Sequence, residues 1–148
     1  MKRYFIIALL FAVFASSCKQ EDDVDPNITK DFVGTWAGAL MVENGYQNRT
    51  DWKITRETDD LIKITSTFNF IATSTAYTSY TENTVLENVT VTDGKTIRAS
   101  TKVPVSGDVI LVDFVGIIEG DLLTVTSTGK YQKTGVAIPT FVEKFTKN

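Results

Sequence analysis

The sequence predicts an all-β domain, an antiparallel up-and-down barrel of eight or nine strands, with a β-sandwich as the alternative architecture. Three observations carry this. From Phe32 onward no segment sustains the hydrophobic period of a helix. Short runs rich in Thr, Val, Ile and aromatic residues recur instead, separated by Gly, Asp and Asn. Residues 31–148 also have the length of one domain with room for one core.

The expected strands are 33–43, 49–57, 61–69, 75–82, 84–91, 95–103, 109–118, 121–132 and 137–146. The stretch 70–84, FIATSTAYTSYTENT, reads equally as one strand, two strands, or a loop beside a barrel mouth.

Side chains alternate faces along a strand, so parity tests each hairpin. A two-residue Asn44-Gly45 turn would pair Glu43 with Tyr46 and set Trp36 against Lys53. Trp52 and Ile54 would then face away from Trp36 and Leu40. A five-residue loop, Asn44 to Asn48, pairs Leu40 with Trp52 and Gly38 with Ile54, and is the expected connection because it gathers the apolar residues on one side. At Thr92-Asp93-Gly94, a three-residue loop with Gly94 in the left-handed region pairs Val89 with Ile97; a two-residue Asp-Gly turn would pair Val89 with Arg98.

The expected inward set is Trp36, Leu40, Trp52, Ile54, Ile62, Ile64, Phe68, Val89, Val91, Ile97, Phe114, Leu123 and Val125. Strand 109–118, VILVDFVGII, is apolar on both faces. Its outer face therefore calls for cover from the N-terminal segment, the C-terminal strand or another subunit.

The front of the chain is different. Lys2 and Arg3 precede an unbroken apolar run, Tyr4 to Ala15. This is shorter than the roughly 20 residues a permanent membrane helix needs, and it has the length of a signal-peptide core. Ala15-Ser16-Ser17 then end against Cys18, the single cysteine of the chain. Small residues directly followed by cysteine resemble the lipobox of bacterial lipoproteins, although the usual leucine three residues earlier is Ala15 here. The resemblance implies cleavage before Cys18 and attachment of diacylglycerol to its thiol. Each buried methylene contributes about 0.8 kcal/mol, so two or three acyl chains anchor stably where one does not. With no second cysteine, a disulfide is excluded.

The following Lys19-Gln20-Glu21-Asp22-Asp23 resembles the surface-export tag of some Gram-negative lipoproteins; the plainer reading is a solvated acidic linker. Residues 1–17 are thus expected to be a signal peptide, 18–30 a lipidated flexible tether and 31–148 the barrel domain. The tether would reach about 40 Å when extended. The expected location is the outer membrane, lipid-anchored, with display at the cell surface as the reading of the acidic tag.

Loss of Lys2 and Arg3 leaves 13 basic against 18 acidic residues, a formal charge of −5, which argues against nucleic acid as a partner. The chain has no histidine, so Ser-His-Asp and Cys-His catalysis and histidine-ligated metals are excluded. No glycine-rich phosphate loop occurs. Most carboxylates fall in turns, and Asp113, between Val112 and Phe114, reads as a solvent-facing strand position. No catalytic residue, metal or cofactor is expected, and the domain is read as not being an enzyme.

Phe32-Val33-Gly34-Thr35-Trp36 opens the first strand, and Gly34-Thr35-Trp36 resembles the G-x-W motif of lipocalins and wider calycins. The span Phe32 to Lys147 is similar to short lipocalin-like domains of bacterial surface lipoproteins, and Gly116 to Val125 resembles their penultimate hairpin. The resemblance implies that Gly34 lets the chain pass close to the barrel floor and that Trp36 plugs that end. Lipocalins also stack a late arginine on the tryptophan. The last arginine here is Arg98, so Lys130 or Lys144 is the available substitute, without the planar stacking surface. No C-terminal helix follows the barrel.

An eight-stranded barrel is either filled by its side chains or holds one small ligand. The leading expectation is a membrane-anchored barrel that binds a small apolar or amphipathic molecule, with Trp52, Phe68, Tyr77 and Phe114 as candidate contacts. Core packing is the alternative role for these residues and for Tyr80. The competing functional reading is a surface interaction module for a partner protein, protease or glycan, motivated by the tyrosines at 77–80 and the doubly apolar strand.

Overall fold

A computed structural model of the protein describes residues 27–148. The signal-peptide reading, Cys18 and the acidic run after it lie outside the described residues. Within them every regular element is a strand: β1 (Gly34–Gly38), β2 (Met41–Glu43), β3 (Tyr46–Arg56), β4 (Leu61–Ala72), β5 (Tyr80–Val91), β6 (Thr96–Val105), β7 (Asp108–Glu119), β8 (Leu122–Tyr131) and β9 (Ala137–Lys147). Neighbours pair antiparallel in sequence order from β3 to β9, and β1 closes the circle by pairing with both β3 and β9. The result is a closed eight-strand barrel with β2 as one extra strand, the lipocalin-like architecture expected. The sandwich alternative does not apply.

The first hairpin resolves the parity conflict by a different device from the one expected. The turn is the tight one: Glu43 pairs with Tyr46 around Asn44 and Gly45. Yet Trp36 pairs with Trp52 and Gly34 with Ile54. The register changes by one residue across Ala39 and Leu40, where β1 gives way to β2. This is a β-bulge, and it flips the faces just where they must flip. The energetics favour it, since burying a large apolar side chain contributes about 1.5–3 kcal/mol and a lost ladder hydrogen bond costs about 1 kcal/mol. One bulge keeps Trp36, Trp52 and Ile54 buried together. The expected Leu40–Trp52 and Gly38–Ile54 pairs are therefore incorrect, and Leu40 points out, 56% exposed.

The Asp93-Gly94 connection has three residues, as expected, but they are 93–95, one residue later than expected, which shifts the pairing register by two. Thr92 receives the returning strand at Thr96, and Val91, not Val89, pairs with Ile97. Gly94 has φ 72°. The slide follows from Asp93, whose carboxylate accepts hydrogen bonds from the backbone N–H of Lys95 (2.9 Å) and Thr96 (2.6 Å). An even shift preserves faces, so Val89, Val91 and Ile97 are all buried.

Segment 70–84 holds the end of one strand, a loop and the start of another. The separate strands expected at 75–82 and 84–91 are replaced by the single β5, with one irregularity where Ile64 pairs with Leu86 and Ile62 with Val89. Asn88 takes φ 56° there, as short polar side chains tolerate. Loop 73–79 is tied to the first turn, because Thr73 and Ser74 donate to the Gly45 carbonyl at 2.8 and 3.1 Å.

The barrel floor is built from more than the motif. Residues 28–33 form a turn that closes the end of the barrel: Thr29 and Phe32 are fully buried and Ile28 packs on the core. The Trp36 indole N–H donates to the Phe32 carbonyl at 2.7 Å. Asn27 to Lys30, assigned from sequence to the tether, belong to this plug. Gly34 has φ 137°, a conformation that side chains rarely adopt. The late cation over Trp36 is neither Lys130 nor Lys144. It is Lys147, whose Nζ lies 5.3 Å from the ring centroid and donates to the Asp31 carbonyl at 2.7 Å.

The outer face of β7 has no element laid over it among the described residues. Pairing places Leu111 between Lys102 and Lys130, and Val115 between Arg98 and Thr126. Flanking aliphatic stems half-bury Leu111 and Val115, while Ile117, flanked by Thr96 and Thr124, stays 48% exposed. The N-terminal segment plugs the floor instead, and β9 completes the wall.

Candidate functional site

The barrel wall is continuous at the Trp36 end and parts along two lines toward the other. β9 meets β1 only through Trp36–Lys147, Ala37–Thr146 and Gly38–Phe145, and the bulge then carries β2 away from β9. On the opposite side β5 and β6 pair only through Thr90–Arg98 and Val91–Ile97. Two cavities follow from these partings.

The first, of about 440 Å³, opens between β2 and β9. Alternation from the paired positions places Asn48 and Thr50 of β3, Phe68 of β4, and Glu143 and Phe145 of β9 on its inner wall. Gly38 sits at its base, where a Cβ would overlap the Thr50 carbonyl oxygen. Met41 stands at its edge, 56% exposed. The second cavity, about 560 Å³, lies between β5 and β6 and is polar: Arg98, Ser100, Asp113 and Asn88 line it, with Phe114 at its back. Asp113 faces outward and accepts a hydrogen bond from the Ser100 hydroxyl.

An aromatic ladder runs up the inside. Trp52 stacks on Phe145 with centroids 4.3 Å apart and lies 6.2 Å from Phe114. Higher up, Phe68 lies 6.0 Å from Tyr80, Tyr80 stacks on Phe70 at 5.2 Å, and Phe70 stacks on Tyr46 at 4.8 Å. The lower half is therefore a packed core, and above it the rings of Phe68, Tyr80, Phe70 and Tyr46 pack on one another. Trp52 spends its polar handle locally, donating to Ser66 Oγ at 3.1 Å.

The four candidate contacts separate accordingly. Phe68 lines the β2–β9 cavity. Trp52 lies in the core below, and Phe114 is buried against Trp52 and backs the other cavity. Tyr77 lies in loop 73–79, packed edge-on against Tyr46 at 5.3 Å and outside both cavities. Sequence reasoning missed Glu143, Asn48, Thr50 and Phe145. For Glu143 and Phe145 a signal was present, since Phe141, Glu143 and Phe145 alternate onto one face.

Glu143 is the one ionisable side chain on this cavity's inner wall. Its residue surface is open through the parting, yet desolvation by the surrounding wall raises its carboxyl above the ordinary carboxylate range. Among the described residues no cluster of acids, histidines or cysteines gathers to hold a metal.

No protein-family model matches the chain, and no curated protein matches it. Solved structures do. A barrel described as EF1p2_mFAP2b bound to DFHBI matches with a TM-score of 0.52 at 10% identity, covering 83% of this chain and 98% of its own. A redesigned β-barrel, mFAP1, also bound to DFHBI, matches with a TM-score of 0.50 at 15% identity, covering 82% of this chain and 99% of its own. At such identities the likeness is one of fold, and the fold it shows is the closed antiparallel β-barrel.

Proposed function

We propose that this chain is a membrane-anchored lipoprotein whose barrel binds one small apolar or amphipathic molecule in the cavity between β2 and β9. The observation that carries the reading is that cavity: about 440 Å³, within the range of small-molecule sites, with Phe68 and Phe145 on its wall and an opening in the barrel side. Both similar barrels are described as holding a small molecule, DFHBI, which supports a ligand role for the same architecture here. The anchor is acyl chains on Cys18, with the outer membrane as the location and the acidic run behind Cys18 as a surface-export tag. No catalytic step is assigned.

Titration of the purified chain with a neutral fluorescent naphthylamine tests the reading. Saturable binding that weakens about tenfold in Phe68→Asp, a change that puts a charge on the apolar wall, is the expected result. Equal, non-saturable signal from both proteins would overturn it.

A further inference from the structure

We infer that the molecule held between β2 and β9 is a cationic amphiphile, an alkyl- or arylammonium whose apolar part lies on Phe68 and Phe145 and whose charged head meets Glu143. This rests on the ligand-binding reading above and narrows it to a chemical class.

The argument begins with which charges face inward. Alternation from the paired, buried positions puts Glu82 of β5, Asp108 of β7 and Glu143 of β9 on the inner side of the wall. Lys63 of β4, Arg98 and Lys102 of β6, Lys130 of β8 and Lys144 of β9 alternate outward. The inward base of β9 is Lys147, and it is engaged at the floor by Trp36 and the Asp31 carbonyl. Asp108 is also occupied, accepting from the backbone N–H of Val109 and Lys133. Glu143 and Glu82 have no hydrogen-bond or ion-pair partner among the described residues. The upper interior thus holds negative charge without a matching cation, although the outward Lys144 borders the cavity mouth.

The position of these carboxylates matters as much as their sign. Glu82 pairs directly with Phe68, which lines the cavity, and Glu143 lies between Phe141 and Phe145 on one face of β9. A carboxylate set beside aromatic rings presents an ion-pair partner and π faces to the same head group. The neutral polar neighbours, Asn48 and Thr50, offer no charge to an anionic head. Desolvation already disfavours the Glu143 carboxylate. A bound ammonium would relieve that cost, whereas a bound carboxylate or sulfate would add to it.

Calorimetric titration of the full chain in zwitterionic lipid nanodiscs, with empty nanodiscs as the blank, tests the inference. The probes are decyltrimethylammonium, decanol and decyl sulfate, each below its micellar concentration. The expected result is that the ammonium binds about tenfold more tightly than decanol, with the sulfate weakest. Glu143→Gln should remove most of the preference for the ammonium over decanol. If decanol binds while the ammonium shows no advantage, or if Glu143→Gln keeps the full preference, the inference is overturned and the ligand-binding reading stands. If none of the three binds, both fall. The wild-type ranking decides the matter alone should the variant misfold.

Discussion

Lys147 Nζ lies 5.3 Å from the centre of the Trp36 ring and donates at 2.7 Å to the Asp31 carbonyl. One side chain from the last strand therefore clasps the first strand and the turn before it. Removing that clasp with Lys147→Met should lower stability by about 1–2 kcal/mol, the cation–π contribution plus a charge-assisted hydrogen bond. Thermal melts and a red shift of tryptophan emission would report it. Lys147→Arg should restore most of the loss, because a guanidinium stacks on the ring as well as donating. Full stability in Lys147→Met would remove this role.

Gly38 sits where β1 yields to the bulge, under the Thr50 carbonyl. Gly38→Val must displace backbone, so about 1–3 kcal/mol of destabilisation is expected by denaturant unfolding. Because the same residue forms the base of the β2–β9 cavity, ligand binding should weaken together with stability.

Glu143 makes the protein prefer a protonated carboxyl. Its folded-state pKa is raised by desolvation, so the stabilising contribution is fully present below the ordinary carboxylate range. That contribution is lost as pH rises through the raised value. Glu143→Gln should therefore melt higher than the parent at neutral pH, by about 1–2 °C given solvent screening. The difference should close on acidification. A lower melting temperature at neutral pH would contradict the assigned cause.

Asp93 carries the opposite sign. The hydrogen bond from the Lys95 N–H, with those from the Thr96 hydroxyl and N–H, holds its carboxyl below the usual range. Its contribution is present above the ordinary carboxylate pKa and fades as pH falls through the lowered one. Asp93→Ala should loosen the β5–β6 turn at neutral pH. Faster amide exchange at Lys95 and Thr96 is the readout, and the difference from the parent should shrink in acid.

Cys18→Ala tests the anchor. The variant should leave the membrane fraction or remain uncleaved. A mature, detergent-extracted Cys18→Ala protein would rule out lipid attachment at that residue.

The all-β barrel was legible in the chain because alternation is local: a two-residue period in Ile62-Ile64, Val89-Val91 and Leu123-Val125 marks a wall with one buried face, whatever lies across from it. The plug role of Trp36 came from the resemblance of Gly34-Thr35-Trp36 to the G-x-W motif at the first strand, not from alternation. Register was not legible. The conflict between Asn44-Gly45 and the Trp36–Trp52 pair is visible in the sequence, but a longer loop and a one-residue bulge satisfy parity equally. Which of the two forms is seen only in the pairing across strands, Trp36 with Trp52 and Glu43 with Tyr46. The cavity was invisible for a related reason, since it exists only because that bulge turns β2 away from β9 while Phe68 and Glu143 remain on the inner wall. Periodicity assigns a side chain to a face. Whether the space before that face is filled depends on which strand stands opposite and how closely it pairs, and no single strand carries that information.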